Sequence, residues 1–131
     1  MKIADKVTTI LCDDLRMELG NKFSIMGVYG REMLFSSIPA LLPRISLAVK
    51  LEGIKKIFTD FHVRLKTPDN ESKNFTYPAP ANLELDGETN LLIVISPFRV
   101  TSPGKAAIEI TFSGDKKPSI IHEFEIKQDA A

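Results

Sequence analysis

The chain has 131 residues, and its 17 Lys plus Arg balance 17 Asp plus Glu to a net charge of zero. Such a balance supplies no general positive field for counterion release, so neither nucleic-acid binding nor a basic membrane-surface role is expected of it. The one cysteine, Cys12, excludes an internal disulfide, and the longest apolar run, Leu91 to Ile95, is far too short to span a membrane.

At this length one domain, residues 1–131, buries roughly two thirds of its unfolded surface and needs no crosslink. The opening Met1-Lys2-Ile3-Ala4-Asp5-Lys6 has no apolar run of signal-peptide length. A cytoplasmic location is the expectation.

Most of the chain alternates apolar and polar residues with a period of two, which fits strands with one buried face. The first strand is expected from about Val7 and the second over Lys22 to Tyr29, with Gly20-Asn21 as a hairpin signal between them. A strict two-residue turn would set Phe23 opposite Glu18 and Ile25 opposite Arg16, mixing apolar and charged side chains. One bulged residue, with Gly20 in the left-handed region, instead pairs Met17 with Phe23, Leu15 with Ile25 and Leu11 with Tyr29. One face is then apolar, and Asp14, Arg16 and Glu18 share the other, so the bulged register is preferred. A short helical turn over Asp13 to Leu19 is the competing reading.

Gly30-Arg31-Glu32 turns into Met33 to Phe35, and Pro39 and Pro43 bracket a loop. Arg44 to Leu51 follows as a strand with Ile45, Leu47 and Val49 on one face. The next strand, about Ile57 to Lys66, puts Thr59, Phe61, Val63 and Leu65 opposite Asp60, His62, Arg64 and Lys66. Pro68-Asp69-Asn70-Glu71 turns the chain back into Asn74 to Tyr77. Tyr77-Pro78-Ala79-Pro80 reads as a crossing loop, because proline has no N–H for a ladder.

Asn90 to Val100 is apolar on both faces at its start, which calls for a central, doubly covered strand or an exposed apolar patch. Pro97 bends or ends it. Lys105 to Phe112 follows Pro103-Gly104, and the last strand places Ile120, His122, Phe124 and Ile126 on one face. About eight short strands at regular spacing favour an all-β, two-layer antiparallel sandwich. Its core is expected to hold Ile45, Leu47, Val49, Phe61, Val63, Ile93, Ile108, Ile110 and Phe124. Lys55-Lys56 and Lys116-Lys117 read as solvated loop or edge charges.

The closing Pro-Gly, strand, polar hairpin and strand over Pro103 to Ile126 is the ending of many immunoglobulin-like sandwiches. Lys22-Phe23-Ser24-Ile25-Met26-Gly27-Val28-Tyr29 after its Gly-Asn turn resembles the opening hairpin of a family of small bacterial proteins of unknown function. Members share a proline-flanked loop before a strand like Ile45 to Leu51, and a closing hairpin like Gly104 to Ile126. The resemblance implies an immunoglobulin-like β-sandwich and carries over no activity. The chain departs from the family's pattern at Cys12-Asp13-Asp14 and in lacking an aromatic residue soon after Pro103-Gly104.

No pattern of catalytic chemistry stands out. Asp13, Asp14 and Glu18 are clustered carboxylates, but calcium demands six to eight oxygens and adjacent strand residues face opposite ways. Arg16 and Arg31 are on hand to neutralise them. His62 falls on a polar face and is read as solvated. His122, between Ile120 and Phe124, is read as a core or rim histidine bonded to backbone. Cys12 is read as a small packed group rather than as a nucleophile for His122. No catalytic, cofactor-binding or metal-binding residue is assigned, and no cofactor is implied.

The leading expectation is a non-enzymatic module that contacts another protein or a second copy of itself. A small-ligand-binding sandwich is the alternative, weakened by the absence of tryptophan and by only Tyr29 and Tyr77 as stacking residues with a polar tip. An enzyme using Asp13, Asp14, Arg16, His122 and Cys12 ranks below both.

Overall fold

The computed structural model describes residues 2–20 and 22–129. Asn21 of the expected Gly-Asn turn lies outside the described residues. Those residues contain no helix, and so none long and apolar enough to cross a membrane. Eleven strands follow one another: β1 (Ala4–Glu18), β2 (Lys22–Val28), β3 (Glu32–Phe35), β4 (Ala40–Leu42), β5 (Ile45–Ile54), β6 (Asp60–Lys66), β7 (Ser72–Pro78), β8 (Glu88–Ile95), β9 (Phe98–Val100), β10 (Gly104–Phe112) and β11 (Ile120–Gln128). A four-stranded sheet has the order β2-β1-β5-β8, and a five-stranded sheet the order β3-β11-β10-β6-β7. β4 and β9 pair separately as a short ribbon.

The count exceeds the expected eight for local reasons. Pro97, without an N–H, ends β8, and the chain resumes as β9; the proline-flanked loop supplies β4 as its partner. One further expectation is corrected, and one competing reading is removed. β7 runs through Tyr77 to Pro78 rather than ending in a crossing loop there, because β7 is an edge strand and proline is tolerated on an edge. No helical turn forms over Asp13 to Leu19, since β1 continues as a strand to Glu18.

Every residue expected in the core is buried, from Ile45, Leu47, Val63, Ile93, Ile108 and Ile110 with no exposed surface to Phe61 and Phe124 at 4%. Alternation explains it: on β10 Ala106, Ile108, Ile110 and Phe112 turn inward, and the register sets Ile108, Ile110 and Phe112 beside Leu65, Val63 and Phe61 of β6. One hydrophobic cluster draws on both large sheets. At one end of it Phe58 meets Phe112 edge-on at 4.6 Å, and Phe61 stacks on Tyr77 at 5.3 Å.

The doubly apolar Leu91 to Ile95 lies on an edge strand, not a central one. Leu91, Ile93 and Ile95 go to the core, while Leu92 stays half-buried and Val94 exposed. Its outer edge is partly covered: the Tyr77 hydroxyl donates to the Val94 carbonyl at 3.2 Å, and Lys73 Nζ to the Pro97 carbonyl at 3.2 Å. β3 adds a parallel neighbour to β11, with Met33 beside Ile126.

Candidate functional site

β1 is fifteen residues long, but only Ala4 to Cys12 pair with β5. Beyond Cys12 its only partner strand among the described residues is β2, so 13–18 and Lys22–Val28 form a two-stranded arm. The arm has the bulged register: Leu15 faces Ile25, Met17 faces Phe23, and Gly20 takes a φ of 86°. The Tyr29 N–H donates to the Leu11 carbonyl at 2.8 Å, which continues that register.

Where the arm leaves the sheet, Gly27 sits at φ 68°, a conformation open to glycine and strained for other residues. The Asp13 carboxylate lies where a Cβ on residue 27 would stand, and the Tyr29 hydroxyl donates to it. The same device recurs at the other end of β1. Gly53 has φ 70°, the Asp5 carboxylate occupies its Cβ position, and Lys55 pairs with Asp5 at 3.3 Å. In both, the residue two beyond the glycine holds the aspartate, and its N–H donates to the carbonyl two before the aspartate (Tyr29 to Leu11, Lys55 to Ile3). The left-handed residue reverses which face the strand buries. Leu47, Val49 and Leu51 point inward before Gly53, and Ile54 does so after it.

The arm and the outer side of the four-stranded sheet face each other across a cleft of about 490 Å³. Met17, Lys22 and Phe23 line it from the arm, and Lys50, Asn90 and Leu92 from β5 and β8. Cys12, Ser46 and Ala48 alternate with the core residues Leu11, Leu47 and Val49, yet they too are buried. The Ser46 hydroxyl has no hydrogen-bond partner among the described residues. Leu15, Phe23 and Ile25 are half-buried, whereas Met17 is 69% and Leu19 94% exposed. Met26 and Val28 are also exposed.

The carboxylates singled out in the sequence take separate partners. Asp13 accepts from Tyr29, Asp14 pairs with Arg16 at 3.3 Å and Arg44 at 3.5 Å, and Glu18 accepts from the Ser24 hydroxyl. Arg31 is not among these partners; its carbonyl accepts from the Glu125 N–H. Burial pushes the Cys12 thiol pKa up, as it does that of the Tyr29 hydroxyl, whose hydrogen bond to Asp13 adds to the shift. A thiol shifted that way is a poor nucleophile.

His122 is on the core side of β11, but its partner is a side chain of the opposite sheet rather than backbone. Its Nδ1 and Thr9 Oγ1 share a hydrogen bond at 2.8 Å, while Nε2 is buried without a partner among the described residues. Burial lowers its pKa from the ordinary 6.5. Because Thr9 and Cys12 fall on opposite faces of β1, Cys12 and His122 are separated by the sheet itself. His62 lies outside the core, near Asn74 Oδ1 at 2.9 Å and Thr76 Oγ1 at 3.4 Å. Of the two lysine pairs, Lys56 departs from the solvated reading: it donates to the Ser113 carbonyl at 2.6 Å and pairs with Asp115 at 2.9 Å, joining two loops.

The sequence family described as a family of unknown function, DUF6941, matches residues 7–121, a span from within β1 to the start of β11 that takes in the arm. The chain belongs to that family. No curated protein matches the chain.

Proposed function

We propose that this domain is a non-enzymatic interaction module, an immunoglobulin-like β-sandwich of the bacterial cytoplasm that works by docking another protein or a second copy on its β1–β2 arm. The observation that carries the reading is the arm itself. It leaves the sheet with Met17, Leu19, Met26 and Val28 exposed at 69, 94, 42 and 62%. Met17 lies on one face of the arm and Met26 and Val28 on the other, and exposed apolar groups concentrated on one two-stranded element favour a contact surface over chance exposure. The sandwich reading draws support from a single core fed by both large sheets. A contact role is further favoured by the scatter of the reactive groups, with Cys12 and His122 on opposite sides of β1 and Asp13 and Asp14 held by different partners.

The test compares wild type with Met17→Glu/Leu19→Glu in solution-mass measurement and in capture from a native lysate. Both side chains are exposed, so folding stability should change by less than about 0.5 kcal/mol each. Association that is present in wild type and lost in the variant supports the reading. A monomeric wild type that captures nothing overturns it.

The cleft favours a second reading, a small-ligand site. Its volume lies in the usual range of about 300–1,000 Å³, and neither Lys22 nor Lys50 forms an ion pair with the described residues. Its two lysines outnumber its one lining carboxylate, Glu88, so the chemistry fits a small anion with an apolar portion laid against Phe23 and Leu92. Calorimetric titration with a panel of such carboxylates that gives no saturable heat removes this reading.

A further inference from the structure

We infer that the arm pairs with a second copy of this chain, the free edge of β2 joining the free edge of its counterpart antiparallel about a two-fold axis. This rests on the contact reading above and names its partner.

Natural sheets guard their edges, because an open row of backbone N–H and C=O groups recruits other strands. Three of the four edges of the large sheets carry such guards. β3 is four residues long, and its Glu32 pairs with Lys127 at 2.7 Å. β7 carries Lys73 and ends on Pro78. β8 has its Val94 carbonyl taken by Tyr77, and the Pro97 carbonyl just beyond is taken by Lys73. β2 carries one charge, Lys22 at its first residue, and none of the other guards. After Lys22 it runs Phe-Ser-Ile-Met-Gly-Val without a charge or a proline, and among the described residues it has no neighbour on its outer side.

The charges select a second copy in antiparallel orientation. The only charge of β2 is at its first residue, so two copies running in opposite directions place each Lys22 beside the uncharged end near Val28; parallel copies would set Lys22 against Lys22. Asp14 lies in the row of Met26, and Arg16 in the row of Ser24. An axis near Ile25 therefore puts Asp14 of one copy in the row of Arg16 of the other, so the two rows charged by both copies each carry opposite signs. A net charge of zero removes long-range repulsion between copies. Such a contact is isologous and closes at two, joining two four-stranded sheets into one.

The experiment is solution mass by light scattering and sedimentation over a wide concentration range, on wild type, Met26→Lys, Ser24→Pro and a control, Leu34→Lys, whose exposed apolar side chain is on β3. Residue 26 lies in the row that Arg16 of the other copy enters, so a lysine there sets like charges against each other and also guards the edge. The expected result is twice the 14.6 kDa chain mass for wild type and the control, and loss of the dimer in the other two variants with circular dichroism unchanged. Should Ser24→Pro fail to fold, Met26→Lys decides alone, since residue 26 is exposed. A dimer that survives in Met26→Lys overturns the β2 edge as its seam. A wild type that stays monomeric overturns self-pairing, and the contact reading survives that result if lysate capture still depends on Met17 and Leu19.

Discussion

Replacing Gly53 with alanine tests the aspartate-over-glycine device at the start of β1. Two costs add. A non-glycine residue in the left-handed region costs about 1–2 kcal/mol, offset by about 0.4–1 kcal/mol because alanine also narrows the unfolded ensemble. The new Cβ also collides with the Asp5 carboxylate, which must leave its place and loosen its pairing with Lys55. Overpacking of this kind adds about 1–3 kcal/mol. Gly20→Ala isolates the first cost, since Gly20 has φ 86° but nothing within 4 Å of its would-be Cβ. Gly53→Ala should therefore lose about 2–4 kcal/mol in urea denaturation and Gly20→Ala only about 0.5–1 kcal/mol. In an Asp5→Ala background the Gly53→Ala loss should fall towards that of Gly20→Ala. Equal losses for Gly53→Ala and Gly20→Ala in the native background would refute the argument that the carboxylate occupies the glycine's side-chain space.

Two further predictions concern the core. Phe61→Ala, which removes a 4% exposed ring stacked on Tyr77, should cost about 3–5 kcal/mol; Arg64→Ala, on the opposite face of β6, should change stability by less than about 0.5 kcal/mol, and chemical denaturation that gave similar losses for both would contradict the assigned faces. His122 has a folded pKa below its ordinary 6.5, so the unfolded chain binds its proton first on acidification. The contribution to stability is whole above about pH 6.5 and is lost as pH falls from there through the lower folded value. His122→Gln should flatten the stability-against-pH profile below about pH 6.5 relative to wild type, and an unchanged slope would count against burial as the cause.

Period-two alternation was enough to name the core of β5, β6, β10 and β11, and to choose the bulged register of the β1–β2 hairpin. Both depend on neighbours along the chain: successive side chains alternate faces, and a one-residue slip would turn Arg16 toward the sheet in place of the half-buried Leu15. Partner choice between distant strands is a different matter. Nothing local marks β3 as a parallel neighbour of β11, or puts the doubly apolar β8 on an edge, because those pairings are decided by which strands the whole chain can bring together. The shape of the candidate site was hidden for the same reason. In the sequence Gly27 and Gly53 are two glycines among seven; only in the fold does each meet an aspartate across the ladder and take a left-handed turn, and at Gly53 the buried face is seen to reverse. His122 likewise shows in sequence only that it lies on an apolar face. Its partner Thr9 is 113 residues away on the opposite sheet, so that contact was set by the packing of two sheets and not by the pattern of either strand.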